Sequence, residues 1–232
     1  MDYLLGGYYL VKPMKRAEYM DENIIPEVVL SASNCICDNF PDIGLCWNKS
    51  ESKKKEYMKQ LNLSQDIFTY MEKWVEQEFD IKSLGFPHVF TNLDKAKEFY
   101  HKYLNDTKNI KLIGIGLPTG MLDHLKSDFG EEGFFYGVEY NISQKKILEM
   151  NGLTLGYEIL GYEYGTFHSY ICNHLFEEYK EKFSFSLNEN GFIRSLKEAE
   201  QLAQYTNDEI EGTEPVLWLP WVVVEYSLED SK

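Results

Sequence analysis

The chain is short of positive charge and of long apolar runs, and each lack excludes something. Lys and Arg number 23 against 38 Asp and Glu, a net charge of −15 over 232 residues. Such a polyanion is repelled by nucleic acid and by anionic lipid, which argues against binding either one directly. The longest apolar stretch, Val216 to Val224, is broken by Pro220 and falls well short of the ~18 residues that suggest a spanning helix. The residues Met1-Asp2-Tyr3-Leu4-Leu5-Gly6-Gly7 place an acid where a secretory signal has Lys or Arg, and glycines where it has an apolar core. A cytoplasmic protein with no membrane segment is therefore expected. In that compartment the few cysteines, Cys35, Cys37, Cys46 and Cys172, stay reduced.

What is present fits a folded domain: 44% apolar and 26% charged residues, with 17 Tyr and 14 Phe. Helical spacing is clearest from Ser64 to Phe79, where Ile67, Phe68, Met71, Trp74, Val75 and Phe79 follow a Ser N-cap. A second helix is expected over Leu93 to Leu104. A third follows Ser195-Leu196-Lys197-Glu198, the pattern of a capping box. Further helices are expected at Lys53 to Leu61, Met121 to Phe129, Ser143 to Met150 and Phe167 to Phe183. Strands are expected at Tyr8 to Val11, Val28 to Ala32, Ile43 to Trp47, His88 to Thr91, Lys111 to Leu117, Phe134 to Tyr140, Leu153 to Leu160 and Val216 to Tyr226. Pro220 cannot donate to a ladder, so the last strand should have a bulge or an edge there. The whole reads as a single α+β domain over 1–232, a mixed sheet flanked by helices, with the Ser- and Lys-rich segment 48–59 as a mobile connection.

Candidate chemistry is sparse. Gly114, Gly116 and Gly120 follow a strand, as in dinucleotide-binding turns, but the third glycine lies four residues after the second and Pro118 intervenes. A tight strand-to-helix connection is the plainer alternative. Cys35, Cys37 and Cys46 form one group of soft ligands, and His168, Cys172 and His174 another, the first two one helical turn apart. Neither has the spacing of a zinc site, and no cofactor is expected. The most unusual local composition is the Gly- and Tyr-rich run Gly156 to Gly165 that leads into His168. Tyr157, Glu158, Tyr162, Glu163, Tyr164 and His168 there, with the acidic Asp208, Glu209, Glu211 and Glu214, make the expected partner-binding surface. Excess negative charge favours a basic protein partner, because complementary fields speed encounter. A hydrolase or metal-dependent enzyme using Glu163, His168 and Cys172 is the alternative, and an oligomeric scaffold that buries the same face in a homo-oligomer is a third.

The stretch Gly156 to Asn173, together with Glu214-Pro215-Val216-Leu217-Trp218-Leu219-Pro220-Trp221, resembles small cytosolic bacterial immunity proteins that accompany polymorphic toxins. The resemblance implies stoichiometric binding of a cognate toxin domain, often a basic nuclease. Those proteins span unrelated folds, so it carries over no functional residues.

Overall fold

The computed structural model describes residues 2–44, 50–126, 136–173, 175–209 and 213–229. Eight strands make one sheet: β1 (Tyr3–Lys12), β4 (Asp38–Phe40), β5 (Leu84–Gly85), β6 (Val89–Phe90), β7 (Lys111–Pro118), β8 (Leu153–Glu163), β9 (Thr166–Ser169) and β10 (Leu217–Tyr226). Their order is β5-β6-β1-β7-β10-β8-β9, with β4 beside β6 along β1. The ladders are antiparallel, and an isolated bridge between Phe86 and Tyr136 is parallel. Strands β2 (Met14–Lys15) and β3 (Val28–Val29) form a separate ribbon.

Helices cover both faces of the sheet, giving the α+β architecture. On one side lie α1 (Glu51–Leu61), α2 (Gln65–Asp80) and α3 (Leu93–Phe99), the last continued by a π-turn to Leu104. On the other lie α4 (Leu122–Lys126), α5 (Gly137–Ser143), α6 (Phe176–Phe183) and α7 (Leu196–Asp208). Alternate strand residues point to opposite faces. Tyr8, Leu10, Leu112, Val222 and Val224 meet the first helix layer, while Tyr9, Val11, Ile113, Trp221 and Val223 meet the second. This two-sided burial is why β10 reads as a nearly unbroken apolar run. No helix among the described residues is long and apolar enough to cross a membrane.

Local signals set the clearest helices. Ser64 Oγ accepts from Ile67 N at 3.3 Å and Ser195 Oγ from Glu198 N at 3.2 Å, each satisfying an orphan donor of the first turn. Helix α2 buries Phe68, Met71, Trp74 and Val75, each contributing roughly 1.5–3 kcal/mol. Pro220 pairs with Ile159 of β8, whereas the β7 ladder begins only at Val222, so the proline sits where β10 has a neighbour on one side.

Several expected elements differ. Gly137 to Tyr140 are helical where the strand Phe134 to Tyr140 was expected, Phe134 and Phe135 lying outside the described residues, and the expected helix Ser143 to Met150 is, after Ser143, a turn and an extended segment bridged to Leu4. The long helix expected from Phe167 is strand β9, then a 3-10 turn (Tyr170–Cys172), then α6. His168 and Cys172 are therefore not one helical turn apart. Ile43 and Gly44 are helical in place of a strand start, while Leu45 to Trp47 lie outside the described residues. The segment expected to be mobile is helical from Glu51, its residues 48–49 lying outside the described part. Gly114 and Gly116 lie inside β7, not in a turn. A Cβ on Gly114 would come within 2.9 Å of Leu148 and Tyr226, and one on Gly116 within 2.8 Å of Leu148 and Tyr3. These glycines admit side chains that pack over the strand, which removes the nucleotide-loop reading.

Candidate functional site

The site grows from the β8–β9 hairpin. Glu163 pairs with Thr166, leaving Tyr164-Gly165 as a two-residue turn with φ of 46° and 82°. A turn with positive φ at both positions matches the twist of the strands and favours Asn-Gly. Gly165 fits this freely, but a bulky aromatic residue at positive φ is an outlier. Tyr164 is also 71% exposed, so burial does not compensate the strain.

Beside this tip, carboxylates converge on one imidazole. His168 Nε2 lies 3.3 Å from Glu163 Oε2, and its Nδ1 lies 3.8 Å from Glu214 Oε1. Both carboxylates are about half-exposed and the ring is mostly covered. Glu214 is set in place by its backbone: its carbonyl accepts from Trp218 Nε1 at 3.3 Å and from Val216 N at 2.8 Å. Asn207 fixes the entry to β10 by exchanging two hydrogen bonds with the Trp218 backbone. Two acidic segments far apart in sequence thus meet around His168, an arrangement that can present negative charge and an aromatic ring together.

Three residues expected on this surface are turned inward. Tyr162 is buried and its hydroxyl donates to Glu139 Oε1 at 2.9 Å. Tyr157 is part-buried, its hydroxyl 2.6 Å from that of Tyr3 and its backbone paired with Ile193. Glu158 is 1% exposed. Its Oε1 accepts from Ser31 Oγ at 2.5 Å and Ser169 Oγ at 2.7 Å, while Oε2 has no partner. Burial pushes its carboxyl up to about 7, against the lowering effect of the two hydroxyls and of the Ala32 backbone. A partner docking on the surface cannot reach Glu158 or Tyr162. Alternation along β8 hid this, because the strand is covered on both faces.

The remaining expected residues are dispersed. Asp208 is exposed at the end of α7, where Gln204 donates to it, and Glu209 is the C-cap. Glu211, Cys46 and His174 lie outside the described residues. Cys172 lines a small cavity with Tyr19 and Asn173, and burial pushes its thiol up to about 11. That makes it a poor nucleophile at neutral pH. Burial likewise pushes Cys37 up to about 12, its thiol donating to the Val29 carbonyl. Among the described residues no three His, Cys, Asp or Glu side chains are grouped so as to hold a metal ion.

Sequence reasoning did not mark a cleft of about 400 Å³ bordered by Asp38, Asn39, Asp42, Tyr57 and Phe86, with Thr166 of β9 also in its lining. No pattern in the sequence marks these residues, which meet where the loops after β4 and β5 come together. Comparison with protein-family models, with curated proteins and with solved structures finds no match.

Proposed function

We propose that this protein acts by binding a basic protein partner through the β8–β9 hairpin tip and the adjoining carboxylates of Glu163 and Glu214. The observation that carries the reading is Tyr164, exposed and at positive φ, where Asn would serve the turn better. A local choice that works against the fold is expected where function, not stability, selects the residue. Tyrosine gives large contact area with little side-chain entropy to lose, as binding anchors do. The net charge of −15 steers a cationic partner toward the molecule. In its sharper form, with the immunity-protein resemblance added, the partner is a basic toxin domain whose active site is covered stoichiometrically.

The test is co-purification from the native cell at low and high salt, with the bound protein identified by mass spectrometry. A basic protein retained at low salt and weakened by Tyr164→Ala or by Glu163→Gln with Glu214→Gln is expected. Recovery of no basic partner at low salt, where charge-steered binding is strongest, would sink the proposal.

A further inference from the structure

We infer that His168 gates the hairpin site by pH: its protonated imidazole neutralises the carboxylates that receive the basic partner, and the partner is released. The gate rests on the partner docking proposed above and adds its regulation. A neutral imidazole has one N–H to donate, whereas an imidazolium has two. The ring stands between two acceptors, with Nε2 3.3 Å from Glu163 Oε2 and Nδ1 3.8 Å from Glu214 Oε1. When neutral it can donate to one of them, and the shorter distance favours Glu163. Glu214, beyond hydrogen-bond reach, then keeps its charge for a cation of the partner. When protonated the ring attracts both carboxylates, and the two formal negative charges of the group become one. The His168 side chain is 20% exposed, so a proton reaches it without the hairpin opening.

The neighbours of the ring decide which group changes charge. Glu163, at the end of β8, and Glu214, before β10, are its ionic contacts among the described residues; Glu211 lies outside them. Gly161 stands opposite His168 in the ladder, and Val216 and Trp218, which carry no charge, cover that glycine. The Cys172 thiol, on the turn after β9, is pushed up to about 11 by burial and then by Cys35 and Glu214, so it stays neutral. Buried Glu158 accepts from Ser169, the next residue along β9, and titrates near 7; a test must therefore separate it from His168. Histidine is the side chain whose ordinary titration falls between pH 5 and 8. One charge about 5 Å from a partner's ammonium, in a partly exposed site, changes affinity on the order of tenfold.

NMR of the full chain, titrated with N-acetyl-trilysine amide at low salt and followed at the Tyr164 ring, tests this. Reading the hairpin resonances alone keeps binding elsewhere on the acidic surface out of the result. At about pH 7.5 the Tyr164 shift should saturate with a dissociation constant on the order of 1 mM, and at about pH 5.5 binding should be about tenfold weaker. His168→Gln, which cannot take a proton, should bind within about twofold at the two pH values. Glu158→Gln should keep the pH dependence of the parent. The His168 Cε1–H titration carries the same test without substitution: saturating trilysine should lower its midpoint by about one unit, the reciprocal of the tenfold change. A parent that binds equally at both pH values, a His168→Gln chain that keeps the dependence, a Glu158→Gln chain that loses it, or an unmoved His168 midpoint would overturn the gate and leave the docking itself standing. No shift of the Tyr164 ring with trilysine at either pH would overturn both.

Discussion

Replacing Glu158 by Gln should stabilise the protein, and only above a definite pH. The folded carboxyl titrates near 7 against an ordinary 4.5, so the folded state holds its proton more tightly than the unfolded state. Below pH 4.5 both states are protonated and Glu158 exacts no charge penalty. As pH rises from 4.5 to about 7 the unfolded chain releases the proton first and stability falls; above about 7 the loss is complete. The difference between the two values corresponds to about 3 kcal/mol. Glutamine keeps an acceptor for Ser31 and Ser169 but never ionises, so its own offset is the same at every pH. Urea unfolding of both proteins at pH 4.5, 6, 7 and 8 reads the difference. The variant should gain about 3 kcal/mol relative to the parent between the ends of that series, a midpoint change of roughly 1–2 M. Parallel curves across the whole range would refute the claim that burial, rather than the two hydroxyls, governs this carboxyl.

Other outcomes follow from the packing. Gly116→Ala places a Cβ 2.8 Å from Tyr3 and Leu148 and should cost about 1–3 kcal/mol in urea unfolding; unchanged stability would mean that the strand is not closely covered. Ser195→Ala removes the N-cap of α7 and should cost about 1 kcal/mol, read as a lower melting temperature. Tyr164→Asn should leave stability equal or a few tenths of a kcal/mol higher while weakening the captured partner, and a clear loss of stability would show that the tyrosine serves the fold.

The candidate site was legible only in part. Glu163, Tyr164 and His168 stood out for the Gly- and Tyr-rich composition around them, whereas the hairpin itself was missed, since a helix was expected from Phe167 where β9 pairs with β8. Glu214 was singled out for its charge, yet its meeting with His168 depends on β10 lying beside β8. Glu158 and Tyr162 were misplaced for a physical reason: alternation tells inside from outside only when one face of a strand meets water, and both faces of β8 are covered. Val138 and Tyr140 favour a strand, but Gly137 packs against Gly85 and long-range contact overrides propensity.

By itself the sequence determined the α+β class, the starts of α2 and α7 and the courses of β7 and β10. Each follows from short-range physics: a cap hydroxyl, a 3.6-residue stripe or an apolar run. Only the tertiary structure decided that Glu163 and Glu214 share His168 and that Glu158 is buried. These depend on which strands become neighbours, and that is settled by burial of the two sheet faces together rather than by any one segment.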